Sequence, residues 1–356
     1  MKDTPPFLER LLDSAGPSAF EASPARVWRA EAETFADSVS TDRMGNTMAV
    51  VNPDGLPRVM MAGHIDEIGL QITHIDEDGF LYFAEIGGWD PQVIVGQRMR
   101  LLGSSGDVPG VVGKKAIHLQ KDEERKKVSE ISDLWVDVGV DSRDATLALG
   151  LRVGDAMVID ADMVRLAGDR VASRAIDNRI GAYVVLEALR LLSEASPTSS
   201  AVAVATVQEE IGGSGGGGAR NSAYAVRPDV ALVVDVTFST DVPNMNKNEV
   251  GEHELGGGPV LSRGSAAHPI VFDRLVEAAE SEGIPYTIQA APRATRTDAD
   301  SIYLTRSGVP TGLVSVPNRY MHSPNEIVSL SDVERTSRLL AAFVSSLDAS
   351  TDFTPR

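Results

Sequence analysis

The stretch Ser200 to Gly213 reads SAVAVATVQEEIGG. Its first half is a run of alanine and valine without polar alternation, the pattern of a strand covered on both faces, as in parallel sheets flanked by helices. Its second half sets two adjacent carboxylates, Glu209 and Glu210, at the end of that strand, with glycines behind them. A carboxylate beside an apolar strand is costly unless it is paired or bound to a cation. Neighbouring side chains on an extended backbone point to opposite sides, which predicts different roles for the two.

The same design recurs along the chain. RVMMAG precedes His64, DVALVV precedes Asp235, and TGLVSV precedes Tyr320-Met321-His322. Helical patterns lie between these runs, over Asn178 to Leu192, over Pro269 to Ser281 and from about Ser331. The last is predicted to open with a capping box of Ser331 and Glu334 ahead of Leu339, Leu340, Phe343 and Leu347. This alternation is that of an α/β protein. The region from Glu67 to Gly168 differs, with short alternating strands such as GLQITHI, FLYFAEI, RMRLLG and VPGVVGK and closely spaced turns. It reads as a small β domain at 67–168, inserted into a catalytic domain formed by 1–66 and 169–356. The mixed charge run KDEERKK (Lys121 to Lys127) within it reads as a solvated loop. GGSGGGG (Gly212 to Gly218) reads as a loop beside the Glu-Glu pair.

With 356 residues and 42% hydrophobic content, the chain has material for about two domains and a sizeable core. Acidic residues outnumber basic ones, 51 to 33, giving a net charge of −18, which argues against nucleic acid or an anionic membrane surface as a partner. Cysteine is absent, so disulfides, thiolate zinc sites and cysteine nucleophiles are excluded. The start, MKDTPPFLERLLDSAG, lacks the apolar centre of a signal peptide, and no apolar run has the length of a membrane span. The expectation is a soluble cytoplasmic protein.

Two of the six histidines, His64 and His322, sit just past predicted strands. Asp66 lies two residues after His64, on the same side of an extended segment, where its carboxylate can fix the imidazole tautomer. Taken alone, this pair reads rather as a turn with a surface Asp, and Asp177, ahead of a long amphipathic helix, reads as an N-cap. With Asp235 and the Glu209–Glu210 pair they make five loci, four of which lie at the carboxyl ends of strands, where open α/β sheets place ligands. Histidines and carboxylates without cysteine are the donors expected for one or two zinc-like ions with open positions. One Glu of the pair is then a ligand and the other a proton acceptor. His74 and His118 fall in the β insert, and His253 and His268 in loops; none is assigned to the metals.

The order of these motifs, with GPSAFE (Gly16 to Glu21), DRMGNTMA (Asp42 to Ala49), GWDPQVIVGQRMRL (Gly88 to Leu101), GLRVGD (Gly150 to Asp155) and RYMHSPNE (Arg319 to Glu326), resembles the tetrahedral aminopeptidases, a family of co-catalytic dinuclear metallopeptidases. The resemblance covers nearly the whole chain. It implies an open mixed sheet sandwiched by helices, of the zinc-exopeptidase type, with an inserted β-barrel-like domain that mediates assembly of dimers into a tetrahedral dodecamer. It also implies that His64, Asp177 and Asp235 hold one ion (zinc or cobalt, or manganese) and that Asp177, Glu210 and His322 hold the other. Glu209 is then the general base, Asp66 the partner of His64, and the substrates are peptides with a free N-terminus.

Two segments depart from the family pattern. GGSGGGG replaces a compact turn after the Glu-Glu pair, and Arg296 stands where a small residue usually precedes Thr297-Asp298. Arg296 and Asp298 are candidate substrate residues, Arg296 reaching toward an acidic side chain or simply facing solvent. The alternatives to an aminopeptidase are a related deacylase on the same metal centre, a glycoside hydrolase with a metal-free carboxylate pair, and a binding or scaffold protein with a vestigial site.

Overall fold

The computed structural model describes residues 4–212 and 217–355. After helices Pro6–Asp13 and Ala22–Ala32, the chain lays down β1 (Ser38–Thr41), β2 (Thr47–Val51) and β3 (Arg58–His64). The next strands are β4 (Gly69–Ile75), β5 (Leu81–Ile86), β6 (Arg98–Gly103), β7 (Gly106–Gly113), β8 (Trp135–Asp137) and β9 (Ala156–Ile159). Then come β10 (Val164–Arg165), β11 (Arg170–Ser173), the long helix Ile176–Ala195, β12 (Ser200–Thr206), helix Gly217–Val226 and β13 (Val230–Phe238). The chain closes with β14 (Val260–Arg263), helix Pro269–Ser281, β15 (Thr287–Ala290), β16 (Thr311–Asn318), β17 (Glu326–Ser329) and helix Leu330–Ser345.

Among the described residues the main sheet runs β1-β2-β12-β3-β13-β16-β14-β15. Its centre, β12, β3, β13 and β16, is parallel, while β2 and β14 join it antiparallel, so the sheet is mixed. The central strands are buried almost end to end, which explains their unbroken apolar sequence. Alternate residues serve opposite faces. Val59, Met61, Ala203 and Leu232 pack under helices Ile176–Ala195, Pro269–Ser281 and Leu330–Ser345, whereas Met60, Ala62, Val202 and Val233 pack with Ala219, Ala223 and Ile302 on the other side. Each fully buried Val, Leu, Ile or Met among them contributes about 1.5–3 kcal/mol of transfer free energy.

The closed barrel β4-β5-β8-β7-β6-β9 has its own core, including Leu70, Ile72, Leu81, Met99, Leu101, Val136 and Met157. It leaves the main sheet immediately after His64. β10, assigned to the insert in the sequence reading, pairs instead with β11 in the small sheet β10-β11-β17. KDEERKK forms the exposed helical turn Asp122–Arg125.

Two local expectations are corrected. Asp235 does not end its strand, because β13 continues through Phe238 alongside β16. The last helix begins at Leu330, which places Ser331 inside it, and the cap comes from elsewhere. Asp169 accepts the Ser331 N–H at 3.1 Å and the Ser329 hydroxyl at 2.7 Å. The residue is available because β11, which follows it directly, pairs with β17 at Arg170 and Ser329.

Candidate metal centre

The carboxyl ends of the parallel strands converge on one spot. β3 delivers His64, β13 carries Asp235, the turn after β12 carries Glu209 and Glu210, and the loop after β16 carries His322. Asp177 arrives at the start of helix Ile176–Ala195, which lies close over the sheet because of two glycines. A Cβ on Gly63 would meet the Gly181 backbone at 2.4 Å, and one on Gly181 would meet the Val234 carbonyl at 2.7 Å. Asp177 is not the N-cap that its position in the sequence allowed. Asp177 and Asn178 both leave helical dihedrals, and the Asp177 carboxylate faces the two histidines.

Non-glycine residues in the left-handed region flank these donors. Ala175, Gln208, Tyr320 and His322 have φ between 59° and 61°. Such conformations cost energy and persist where the surroundings over-determine them, as they do at functional sites.

Among the described residues, two donor groups emerge: His64, Asp177 and Asp235, and Asp177, Glu210 and His322, the donor atoms in each lying within 4.8 Å of one another. Asp177 belongs to both. Its Oδ1 is 3.3 Å from His64 Nε2 and its Oδ2 is 3.4 Å from His322 Nε2. Asp235 Oδ1 is 4.0 Å from His64 Nε2, and Glu210 Oε1 is 3.4 Å from His322 Nε2. Asp66 Oδ1 approaches the opposite edge of His64, 3.3 Å from Nδ1, although the angle does not make a formed hydrogen bond. Glu209 stands beside the cage in neither group, with its Oε2 3.8 Å from His64 Nε2.

Glu209 and Glu210 diverge for a different reason than expected. They open a helical turn, Glu209–Gly212, rather than continuing the strand, so successive side chains are rotated about 100° apart. Residues 213–216, the centre of GGSGGGG, lie outside the described residues.

The electrostatics call for positive charge. Burial pushes the Glu209 carboxyl up to about 10, helped by Asp235, Asp298 and Glu210 against the pull of His64. Burial also drives Asp235 well above the usual carboxylate range, with Asp177 adding to the shift. At Asp177 burial is overcome by hydrogen bonds from His322 and His64, and the carboxyl is held low. His322 is raised to about 11, its desolvation outweighed by Asp177 and Glu210. Glu210 Oε1 is buried without a hydrogen-bond partner. Carboxylates crowded out of water, one oxygen unpartnered and two imidazole Nε2 atoms converging on them are the donor chemistry of divalent cations, so the residues fit such ions.

Sequence reasoning gave Glu326 no role. Its carboxylate accepts the backbone N–H of Asp177 at 2.8 Å and of His322 at 2.7 Å, tying two donor-bearing segments together. Gly88 accepts a 2.7 Å hydrogen bond from His322 Nδ1. Glu67, buried between Arg174 and Arg179, was also missed. Glu326 and Gly88 lie in segments noted above as family motifs, which was the signal available. Of the substrate candidates, Asp298 is fully buried behind the site and accepts the Thr206 hydroxyl, while Arg296 is exposed with its backbone N–H on Asp300. His74 and His118 are exposed on the barrel side, and buried His253 faces Thr287 Oγ1 at 2.7 Å.

A mixed sheet with such a cluster at its carboxyl edge suits hydrolysis assisted by divalent cations. The chain belongs to the M42 glutamyl aminopeptidase family, whose sequence model matches residues 45–339. It is similar to a lysyl aminopeptidase of Pyrococcus furiosus, with 35% identity over 98% of this chain and 99% of the relative. The structure resembles a TET aminopeptidase from a Thaumarchaeota archaeon of marine sediment, with a TM-score of 0.90 and 32% identity over 96% of each chain. It also resembles the Pyrococcus horikoshii TET1 peptidase, described as able to assemble into a tetrahedron or a large octahedral shell, with a TM-score of 0.84 and 28% identity over 96% of this chain and 99% of the relative. The protein is an aminopeptidase, a hydrolase acting on peptide bonds.

Proposed function

We propose that two divalent cations bind here, one on His64, Asp177 and Asp235 and the other on Asp177, Glu210 and His322. Asp177 carries this reading, because its two oxygens face different Nε2 atoms, so one carboxylate could serve both donor groups. Such ions supply Lewis acidity toward a peptide carbonyl and toward water, and zinc, cobalt and manganese all suit these donors.

The side chains do the rest. With the cations' charge offsetting the crowding that pushes its carboxyl up, Glu209, beside the cage with its side chain 16% exposed, would take a proton from the attacking water and return it to the leaving amine. Asp66 faces His64 Nδ1 and the Gly88 carbonyl accepts from His322 Nδ1, so each imidazole keeps Nε2 for the cation side. The substrate is a peptide with an unblocked N-terminus. Asp298 lies behind Glu209 rather than at the surface, and Arg296 reads as a solvent-facing residue.

The insert 67–168 serves as the assembly module. Ile117, Leu119 and Val128 are exposed on it, which supports a homo-oligomer, and the family resemblance makes that dimers in a tetrahedral dodecamer; the TET1 peptidase is itself described as forming a tetrahedron or a large octahedral shell. The cysteine-free composition supports a cytoplasmic location.

The experiment is hydrolysis of a panel of aminoacyl-p-nitroanilides with an N-acetylated control, before and after chelation and after adding back zinc or cobalt. Metal-restored cleavage confined to free-amino substrates is expected. Cleavage of the acetylated control, or chelator-resistant activity, would overturn the reading.

A further inference from the structure

The Glu209–Glu210 turn is held from outside. Val207 N–H is accepted by Asn46 Oδ1 at 3.1 Å, Gln208 N–H by Glu21 Oε1 at 3.1 Å, Glu209 N–H by Asp66 Oδ1 at 3.2 Å and Glu210 N–H by Asp66 Oδ2 at 3.2 Å. The last three of these donors belong to a helix start, which leaves them without backbone partners, and all four are met by side chains from three segments far away in sequence. Asn46 also donates to the Gly218 carbonyl at 3.1 Å, and Gly218 N–H returns to Val207 O at 2.8 Å, so Val207 and Gly218 are held against one another.

Glu21 stands out among these partners. It belongs to neither donor group, and the same Oε1 accepts the Ala19 N–H at 2.7 Å. Ala19 and Gln208 are both left-handed, with φ of 72° and 61°, so one buried oxygen fixes two strained residues, one of them immediately before Glu209. We infer that Glu21 is a positioning residue for Glu209, acting through the place of its oxygen on the Gln208 N–H rather than through its charge. The inference rests on the reading of Glu209 as the general base. Burial, with Asp66 nearby, pushes the Glu21 carboxyl up to about 7, so a neutral side chain of the same shape resembles its protonated form.

The test uses two conservative variants of the metal-loaded enzyme, each assayed for kcat, KM, metal content and Tm. Glu21→Asp keeps the charge but withdraws the oxygen by one methylene, and Glu21→Gln keeps the oxygen but removes the charge. Misplacement of a catalytic group by about 1 Å costs up to roughly 100-fold, so Glu21→Asp is expected to lower kcat about 10- to 100-fold with KM and metal content unchanged, while Glu21→Gln stays within about threefold of the parent. A native kcat in Glu21→Asp, an equal loss in Glu21→Gln, or a loss that tracks metal content overturns the inference. Glu209→Gln run in parallel separates the two readings. Full activity there overturns the base assignment and this inference with it, whereas an inactive Glu209→Gln beside a native-like Glu21→Asp overturns only the positioning role.

Discussion

His322 and Gly88, 234 residues apart, meet through a 2.7 Å hydrogen bond from the imidazole Nδ1 to the glycine carbonyl. A carbonyl only accepts, so the bond holds a proton on Nδ1 and turns Nε2 toward Asp177 and Glu210. The acceptor sits in the segment joining two barrel strands, so the inserted module helps set the orientation of a donor carried by the loop after β16.

Gly87→Ala should therefore impair the centre from the barrel side. Gly87 has φ +77°, and a Cβ there would meet Ile68 Cγ2 at 2.6 Å and Glu210 Oε2 at 3.3 Å. Outer partners of metal ligands are worth about 10- to 100-fold in metal affinity, so a comparable loss is expected in competition with a chelator. Unchanged affinity would show that Gly87 and Gly88 do not support the site.

Glu209→Gln is expected to lower kcat about 10²- to 10⁴-fold, the range of general acid–base contributions, with metal content by elemental analysis unchanged. A variant that loses metal in proportion to activity would place Glu209 among the ligands instead.

Asp177→Asn removes charge from the carboxylate common to both donor groups. Both ions should be lost together on dialysis, whereas Asp235→Asn should weaken only the group containing His64. Retention of one full equivalent in Asp177→Asn would contradict the shared role.

Glu67 is buried between two arginines, with its Oε1 2.7 Å from Arg179 Nη2 and also accepting the Gly16 N–H. Arg174 and Arg179 overcome the effect of burial and hold its carboxyl below the ordinary 4.5. A group with a depressed folded pKa stabilises the fold above its unfolded value and loses that contribution as pH falls through the folded one. Glu67→Gln should cost about 3–5 kcal/mol at pH 7, because it leaves buried guanidinium charge uncompensated. In urea unfolding, the gap between variant and parent should narrow as the pH drops below about 4.5. A gap independent of pH would sink this assignment.

Much of this architecture was legible in sequence where a local pattern decides it. The apolar runs ending at His64 and Thr206 are strands because they are covered on both faces, and the alternation of GLQITHI marked the barrel because one of its faces is wet. Asp235 was placed at a strand end because a carboxylate seemed to close the apolar run, yet β13 continues past it with its neighbour β16. The cap of the last helix came from Asp169, 162 residues before the N–H it accepts, and not from the adjacent Ser331 and Glu334. Glu21, Asn46 and Glu326 failed to declare their roles for the same reason. Each acts on backbone N–H groups far away in sequence, and such a contact leaves no periodicity to read.

The order in which the donors appear has a consequence for biosynthesis. His64 emerges from the ribosome early, but His322 and the Glu326 carboxylate that steadies it come only after the barrel and every strand of the main sheet. A nascent chain that has laid down most of its length still lacks one histidine of the Asp177, Glu210 and His322 donor group. On the reading proposed above, the centre is completed only as the last strand and helix are made.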